Sequence, residues 1–256
     1  DPTVSPWPGV ELIATGKTES NLYAKSGQQP EEGLAIGDVD GDGKPELVCG
    51  THWYKHQRGA WKAHKFASGY MTTKVAIGDL DGDGMNEIVL AEGDPCVYGQ
   101  VQGGKLAWFK PPDDATRLGE PHLLPDNLLD AHSLLLADVL GRGHLDMLVG
   151  EVGLSDSLRS RLGRVGGHLT RILIHPGEPR SVGRPPRIMV FENDGRADFT
   201  PHLVDEGTGI HDGLLVDVHN RGALDIVGKP LHGPEKWHIH VWFNDRASAI
   251  IAVTVV

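Results

Sequence analysis

The stretch VAIGDLDGDGMNEIVLAEG, residues 75–93, decides the fold, because its pattern of strand, acidic glycine loop and strand recurs three more times. Aligned on the first aspartate of each loop, the other copies are GLAIGDVDGDGKPELVCGT (33–51), SLLLADVLGRGHLDMLVGE (133–151) and GLLVDVHNRGALDIVGK (213–229). Internal repeats with a period of tens of residues are typical of solenoids and propellers. The chain therefore contains four copies of one structural unit.

Each copy predicts a sheet of four short strands. In the first copy, residues 52–55 and 61–67 add a third and a fourth strand after the two that flank the loop. The later copies have the matching pairs KLAWFK and EPHLLP, RIMVFEN and FTPHLV, and HIHVWFN and AIIAVTVV. Four-stranded antiparallel units repeated in this way build a β-propeller. We predict an all-β protein, a single propeller domain with repeats at about 33–67, 74–125, 132–205 and 212–256.

The number of blades depends on the lead-in, residues 1–32, which contains one further predicted strand at residues 10–15. This strand either closes the ring against the last blade or belongs to a fifth blade assembled from both termini. Five blades are favoured, with four as the alternative. A histidine recurs in the outermost strand of the first three repeats (His64, His122 and His202), and we interpret it as structural because it repeats with the scaffold.

Composition excludes some classes of function. The chain of 256 residues has 34 glycines, 17 prolines and a formal net charge of -11, which argues against a nucleic-acid partner. No apolar run is long enough to insert in a membrane. Cys49 and Cys96 neither demand nor exclude a disulfide. The start at Asp1 rather than methionine fits a processed leader or a trimmed sequence, and we expect a secreted protein.

The loops DVDGDGKPE and DLDGDGMNE predict calcium sites. Acidic side chains occupy loop positions 1, 3, 5 and 9, glycine at position 6 permits a sharp turn, and a carbonyl is available at position 7. A hard cation with about six to eight oxygen ligands suits such a loop. An EF-hand is excluded because Cys49 or Leu90 stands at position 12 and strands flank the loop. The predicted ligands are Asp38, Asp40, Asp42, Glu46 and the Lys44 carbonyl, then Asp79, Asp81, Asp83, Glu87 and the Met85 carbonyl.

The third and fourth loops have lost this pattern and carry arginine at position 5, Arg142 and Arg221. A guanidinium group can replace the cation by pairing with the aspartates at positions 1 and 9. These aspartates are Asp138 and Asp146 in one loop, and Asp217 and Asp225 in the other. Two calcium sites, not four, are therefore expected.

The segments GDVDGDGKPELV and GDLDGDGMNEIV resemble the FG-GAP/VCBS repeat family of integrin-α-like propellers, with weaker matches at ADVLGRGHLDMLV and VDVHNRGALDIV. The resemblance covers roughly residues 33–245 and implies a propeller with calcium loops. The family includes adhesion modules, lectins and polysaccharide-active enzymes, so the resemblance does not choose among these functions. Glu46 and Glu87 stand where the family usually has aspartate.

The other end of the propeller is predicted to hold the functional site, because residues that enter the first strand and leave the second must meet there. These positions carry Glu32, Thr73, His132 and His211 before the loops, and Thr51, Glu92, Glu151 and Lys229 after them. Imidazole, carboxylate and ammonium groups at one rim suit proton abstraction or transition-metal binding. The predicted catalytic residues are His132, His211, Lys229 and Glu151, and the predicted substrate-binding residues are His52, Tyr54, Glu92, Asp94 and His232. The alternative is a hydrated polar rim without chemistry.

Two further features indicate a carbohydrate ligand. The insertion at residues 153–186 contains six arginines, and guanidinium pairs well with carboxylate or sulfate, although a solvated loop is the alternative. The fourth repeat, GTGIHDGLLVDVHNRGALDIVGKPLHGPEKWHIHVWFN, resembles sugar-processing propellers of the aldos-2-ulose dehydratase type. That resemblance implies His211 and Lys229 near the substrate, with His132 in the equivalent place one repeat earlier.

We therefore expect a secreted, calcium-stabilised propeller that acts on a carbohydrate by elimination. His132 or His211 would take the proton, and Lys229 or an arginine of the insertion would stabilise the enolate. A transition metal such as zinc would assist through histidine and glutamate ligands. One alternative is a non-catalytic lectin or adhesion module that uses the same rim, with stacking surface from Trp53, Trp108, Trp237 and Trp242. Another is a purely structural repeat domain.

Overall fold

The computed structural model describes residues 32–70, 72–93, 104–112, 114, 117–124, 127–152, 185–233, 235–245 and 251–255. These residues form sixteen strands in four antiparallel sheets of four strands each, with the strands of every sheet in sequence order. Within the same residues there is no helix of the length and apolar character that a membrane span needs. The predicted all-β architecture is confirmed.

Each sheet is one blade, and its strands alternate with short turns as the repeat pattern predicts. Blade 1 contains β1 (Leu34–Gly37), β2 (Glu46–Cys49), β3 (His52–Gln57) and β4 (Ala60–Lys65). Blade 2 contains β5 (Thr72–Gly78), β6 (Glu87–Glu92), β7 (Leu106–Phe109) and β8 (Pro121–Leu123). Blade 3 contains β9 (Ala131–Ala137), β10 (Asp146–Glu151), β11 (Arg187–Asn193) and β12 (Phe199–Glu206). Blade 4 contains β13 (Asp212–Val216), β14 (Asp225–Lys229), β15 (Ile239–Phe243) and β16 (Ile251–Val255).

The first strand of each blade is the innermost strand of the propeller. Strand β1 contacts β5, β5 contacts β9, and β9 contacts β13, so the four blades follow one another around a common axis. The C-terminal strand β16, predicted from AIIAVTVV, pairs with β15 and completes blade 4. This arrangement brings the beginnings of the four inner strands together at one end and the acidic loops together at the other.

Apolar side chains pack between neighbouring blades rather than within one blade. The faces that meet between neighbouring blades are buried, which stabilises the protein by roughly 25 cal/mol for every Å² of apolar surface removed from water. Between blades 1 and 2 the core includes Val48, Trp53, Phe66, Val75, Ile88 and Phe109. Between blades 2 and 3 it includes Val89, Leu106, Leu134, Met147 and Phe191, and between blades 3 and 4 it includes Leu148, Val190, Ile210, Ile226 and Trp242.

In blades 2, 3 and 4, an asparagine side chain also connects the blade to the loop of the blade before it. The donor is the side-chain amide and the acceptor is a backbone carbonyl close to the acidic loop. The three bonds run from Asn86 to Asp38 (2.7 Å), from Asn193 to Leu80 (2.8 Å) and from Asn244 to Val139 (2.8 Å). These links were not predicted from the sequence, because no local pattern marks their acceptors.

The outer faces of blades 1 and 4 leave apolar side chains exposed. Leu34 of β1 is 73% exposed and Leu214 of β13 is 64% exposed, whereas equivalent faces of the other blades are buried by a neighbour. A fifth blade would pack against these faces. The strand at residues 10–15 that favours five blades lies outside the described residues, so the five-blade count stays a prediction. Cys96 lies outside them as well, and the disulfide question stays open.

Candidate functional site

A cavity of about 520 Å³ opens where the inner strands begin, at the end of the propeller opposite the acidic loops. Strands β1, β5, β9 and β13 all contribute to its wall, together with β14 and β15. The charged and polar residues that line it are Lys74, His132, Ser133, His211, Asp212 and Lys229. Three of the predicted catalytic residues, His132, His211 and Lys229, are therefore brought together as the repeat alignment predicts.

The two histidines stack across the boundary between blades 3 and 4, with ring centroids 5.0 Å apart and an interplanar angle of 23°. His132 Nε2 lies 3.1 Å from Asp130 Oδ1, and His211 Nδ1 lies 3.0 Å from Asp212 Oδ2. Each imidazole is thus oriented by a carboxylate. The hydrogen bond with His211 lowers the pKa of Asp212, and the positive charges of Lys74 and Lys229 lower this pKa further.

Lys74, Ser133 and Asp212 were not identified from the sequence. They stand five residues before the first aspartate of their loops, next to the positions that the repeat alignment selected. In blade 3, Ser133 pairs with Gly150 and Ala131 pairs with Glu151, so His132 is an extra residue in a β-bulge. A bulge interrupts the alternation of side chains along a strand. Consecutive residues, His132 and Ser133, therefore both reach the cavity.

Glu151, predicted as a catalytic residue, does not line the cavity. Its side chain is fully buried and accepts hydrogen bonds from the backbone N–H groups of Leu129 (2.9 Å) and Arg187 (2.8 Å). The Arg187 guanidinium also lies 3.1 Å from Glu151 Oε1. These bonds hold the beginning of β11 against the end of β10. The position of Glu151 is therefore that of a structural residue.

The predicted substrate-binding residues do not converge on the cavity either. Glu92 is buried and accepts a 2.9 Å hydrogen bond from the Lys105 N–H, in the same way as Glu151 one blade later. Tyr54 is buried in blade 1, and His52 contacts the side chain of Thr51. His232 follows β14 without lining the cavity, and Asp94 lies outside the described residues. The repeat alignment placed these side chains at the correct end of the blades, but their orientation depends on packing.

At the opposite end, the acidic loops of blades 1 and 2 have the same internal hydrogen bonds. Asp38 accepts bonds from the N–H groups of Gly41 and Gly43, both 2.8 Å. Asp79 accepts the equivalent bonds from Gly82 (2.8 Å) and Gly84 (3.0 Å). These glycines have φ angles of 73° to 86°, a left-handed conformation that L side chains rarely adopt. The aspartate at position 1 therefore closes the loop.

Lysine side chains that the sequence analysis did not identify reach into both loops. Lys55 Nζ donates to Asp42 at 2.7 Å and also contacts Asp40, while Lys110 Nζ donates to Asp81 at 2.9 Å and also contacts Asp83. These bonds raise the pKa of both lysines and lower the pKa of Asp42 and Asp83. The strand pairs begin at Leu47 with Tyr54 and at Ile88 with Phe109, so each lysine lies one residue beyond its strand pair, 3.9 Å from the glutamate at loop position 9.

The glutamates at position 9 are buried beneath the loops. Glu46 accepts the Val39 N–H at 3.0 Å and Glu87 accepts the Leu80 N–H at 2.8 Å, and burial raises the pKa of both carboxyls. Glu87 Oε1 is buried and has no hydrogen-bond partner among the described residues. Ligand oxygens lie within 4.8 Å of one another in two groups, Asp38 with Asp40 and Asp42, and Asp79 with Asp81 and Glu87.

The residues predicted to supply carbonyl ligands stand beside these groups. The N–H of Lys44 donates to Asp42 (3.0 Å) and the N–H of Met85 donates to Asp83 (2.9 Å). These bonds hold loop position 7 next to the carboxylates. The donor set of the first two loops, consisting of oxygen atoms only, therefore fits calcium.

In blades 3 and 4 the arginine at position 5 pairs with the aspartate at position 9. The Nη2 atom of Arg142 lies 3.2 Å from Asp146 Oδ1, and that of Arg221 lies 2.9 Å from Asp225 Oδ1. The aspartate at position 1 accepts backbone N–H groups instead, as it does in the first two loops. These bonds run from Arg142 and Gly143 to Asp138, and from Arg221 and Gly222 to Asp217. The arginine side chain therefore pairs with position 9 as predicted, whereas at position 1 the backbone N–H of Arg221 and, less strongly, its charge lower the pKa of Asp217.

Four-stranded blades around an axis, each with an aspartate-closed loop at the same end, define a β-propeller module. Residues 38–90, which run from the first acidic loop to the second strand of blade 2, match the FG-GAP-like repeat. This part of the chain therefore carries the FG-GAP-like repeat, and the main resemblance drawn from the sequence is confirmed. No curated protein matches the chain.

Proposed function

We propose that this protein is a secreted, calcium-stabilised propeller that binds an anionic carbohydrate in the cavity and acts on it by elimination. The observation that carries this proposal is the stacked pair His132 and His211 in a cavity that also contains Lys74 and Lys229. A cavity of about 520 Å³ is large enough for one or two sugar rings. FG-GAP-like repeats occur typically in extracellular proteins, which supports secretion.

The charges of the cavity favour a carboxylated sugar. Lys74 and Lys229 supply two ammonium groups, and the one carboxylate between them, Asp212, is bonded to His211. A ligand carboxylate can therefore pair with an ammonium group while the sugar ring lies against the apolar wall formed by residues such as Leu135 and Val227. Among the described residues that line the cavity, two ammonium groups accompany one carboxylate, which favours an anionic ligand over a neutral sugar.

The reaction follows from two imidazoles beside a bound uronate. One imidazole, that of His132 or His211, takes the proton from the carbon next to the carboxylate. The released electron pair forms a carbon–carbon double bond as the oxygen on the adjacent carbon departs. The other imidazole, in its protonated form, gives a proton to that oxygen. Lys229 stabilises the negative charge that develops on the carboxylate in the enolate-like transition state.

Calcium is proposed for the first two loops. In blade 2, the carboxylates of Asp81, Asp83 and Glu87 lie around the ammonium group of Lys110, and the buried Glu87 Oε1 has no hydrogen bond there. In blade 3, by contrast, the guanidinium of Arg142 pairs with two carboxylates, those of Asp146 and Glu192. The excess negative charge supports a divalent cation in the first two loops only. Extracellular calcium modules commonly bind with dissociation constants of about 10⁻⁴ to 10⁻³ M.

The test is incubation of the purified protein with polyuronates in the presence of calcium, with ultraviolet absorbance and mass spectrometry to detect the unsaturated sugar. His132→Ala, His211→Ala and Lys229→Met should each reduce turnover by about 10²-fold or more, the usual contribution of a proton-transfer group. His202→Ala and Lys62→Met change exposed residues on outer strands and should leave turnover unchanged. No unsaturated product from any polyuronate would refute the elimination.

A second function, binding without catalysis, is favoured by a separate observation. Most residues that line the cavity are apolar, and Trp237, next to β15, is 79% exposed and can stack on a sugar ring. The test is whether the protein binds a glycan without changing it chemically. If Lys229→Met and Trp237→Ala both weaken that binding, the protein is a lectin-like module instead of an enzyme.

A further inference from the structure

A second group of histidine and carboxylate side chains lies in blade 4, in the turn before β15 and on that strand. It consists of Glu235, His238 and His240, and one ligand atom from each lies within 4.8 Å of the other two. His238 Nδ1 is 2.5 Å from Glu235 Oε2, and the rings of His238 and His240 are 6.2 Å apart. The predicted site residues do not include any of the three.

The local fold holds these three residues together. The His238 N–H donates to the Glu235 carbonyl at 2.9 Å, which closes the turn before the strand. His238 and His240 are two residues apart, so their side chains lie on one face of the extended chain. The intervening Ile239 lines the carbohydrate cavity, which places the histidines on the opposite face.

His240 is the fixed member of this group. It is 4% exposed, its backbone is paired with Gly228 of β14, and its ring stacks on Trp242 with centroids 5.5 Å apart. His238 and Glu235 are half-buried and reach it from the turn. One ligand is thus held by the core while the other two face solvent, from which an ion can enter.

We propose that Glu235, His238 and His240 form a binding site for a divalent transition metal of the zinc type. Two imidazoles and one carboxylate are ligands that zinc accepts, with metal–ligand distances of about 2.0–2.2 Å and a fourth position open to water or substrate. Imidazole nitrogens favour such a metal over calcium, which prefers oxygen. The site is distinct from the acidic loops and from the cavity, and does not depend on the proposed elimination.

Zinc titration of the full-length protein tests the proposal. The protein is first treated with a chelator, then saturated with calcium so that the acidic loops are filled, and zinc binding is measured by calorimetry. One equivalent of zinc should bind. His238→Ala and Glu235→Gln should each weaken binding at least about 10-fold, a loss typical of disturbed metal sites. Both residues are half-buried in a turn, so these variants should still fold.

The matched control is His202→Ala. His202 also bonds to a glutamate, Glu192 at 2.5 Å, but no second histidine joins this pair in a metal-binding group among the described residues. This variant should bind zinc normally. Cobalt can replace zinc as a spectroscopic probe, and its visible absorption should be lost in His238→Ala.

Three results would overturn the proposal: no zinc binding in the presence of calcium, unchanged binding in both His238→Ala and Glu235→Gln, or loss of binding in the double variant His132→Ala and His211→Ala. The last result would place the metal in the cavity. Turnover on polyuronates is measured in parallel on the Glu235→Gln variant. Loss of zinc binding and loss of elimination are independent readouts, so the two proposals can be tested separately.

Discussion

The Nζ atom of Lys55 lies 2.7 Å from Oδ2 of Asp42, so a positive charge of the chain itself enters the acidic loop of blade 1. Lys110 has the same relationship to the loop of blade 2. The carboxylates proposed to bind calcium are therefore the same ones that bond to these lysines. The proposal thus predicts that the stability of the first two blades depends on both cations.

Replacement of Lys55 by methionine should make stability strongly dependent on calcium. Without the ammonium group, the carboxylates repel one another, and the melting temperature in excess chelator should fall below that of the wild type. Added calcium should restore it, and at a concentration about 100 times the dissociation constant it contributes roughly 2.7 kcal/mol. Melting curves with chelator and with calcium provide the measurement.

Two variants serve as controls for the calcium effect. Lys62→Met removes an exposed lysine of β4 and should melt like the wild type in both buffers. Asp225→Asn weakens the arginine-paired loop of blade 4 and should lower the melting temperature equally with and without calcium. If neither the wild type nor Lys55→Met responds to calcium, the loops do not bind this ion.

Asn193 should be important for the contact between blades 2 and 3. Its side-chain amide donates to the carbonyls of Leu80 (2.8 Å) and Leu145 (3.0 Å), and its oxygen accepts two backbone N–H groups. Asn193→Ala leaves buried polar groups without partners, which typically costs about 1–3 kcal/mol for each group. Urea denaturation should show a loss of this order or more. A loss below about 0.5 kcal/mol would contradict the assigned role.

Arg187 and Glu151 should behave as a structural pair. Removal of one partner from a buried ion pair typically costs about 3–5 kcal/mol, because the other charge stays buried and uncompensated. Arg187→Met should therefore destabilise the protein strongly, while Glu151→Gln, which keeps the acceptor oxygen, should cost less. The free energy of unfolding of both variants is the measurement. If Glu151→Gln leaves the free energy of unfolding unchanged but abolishes turnover on polyuronates, Glu151 is a catalytic residue.

The charge state of Asp212 should depend on its neighbours. Its pKa lies below the ordinary value of about 3.9, so its ionised form stabilises the folded protein above that pH. This stabilisation is lost as the pH falls through the lowered pKa of the folded state. Because the hydrogen bond with His211 is the main cause, His211→Ala should raise the pKa of Asp212, and Lys229→Met should raise it by a smaller amount.

Carbon-13 NMR of the aspartate carboxyl groups measures this titration directly. Lys62→Met is again the control, since it removes an equal charge far from the cavity and should leave the Asp212 titration unchanged. An Asp212 pKa that is the same in the wild type and in His211→Ala would show that the observed hydrogen bond has no electrostatic consequence.

The sequence predicted the part of the candidate site that follows the repeat. His132 and His211 occupy equivalent positions before the loops of successive repeats, and Lys229 follows the second strand of the fourth repeat, so aligning the loops was enough to bring all three to one end of the propeller. The same alignment selected Glu151 and Glu92, which turn into the interior to accept backbone N–H groups. Sequence spacing determines how far along a blade a residue lies. The hydrogen bonds that neighbouring chain segments need determine the direction in which its side chain points.

The sequence by itself determined the four repeats, their short strands and the aspartate-closed glycine loops, because strand alternation and turn chemistry act between residues close in the chain. Only the tertiary structure decided that Lys55 and Lys110 enter those loops, that a bulge at His132 turns Ser133 into the cavity, and that Asn193 reaches Leu80. These contacts depend on strand register and on packing between blades. Both bring together residues that are distant in the sequence, and no local pattern records them.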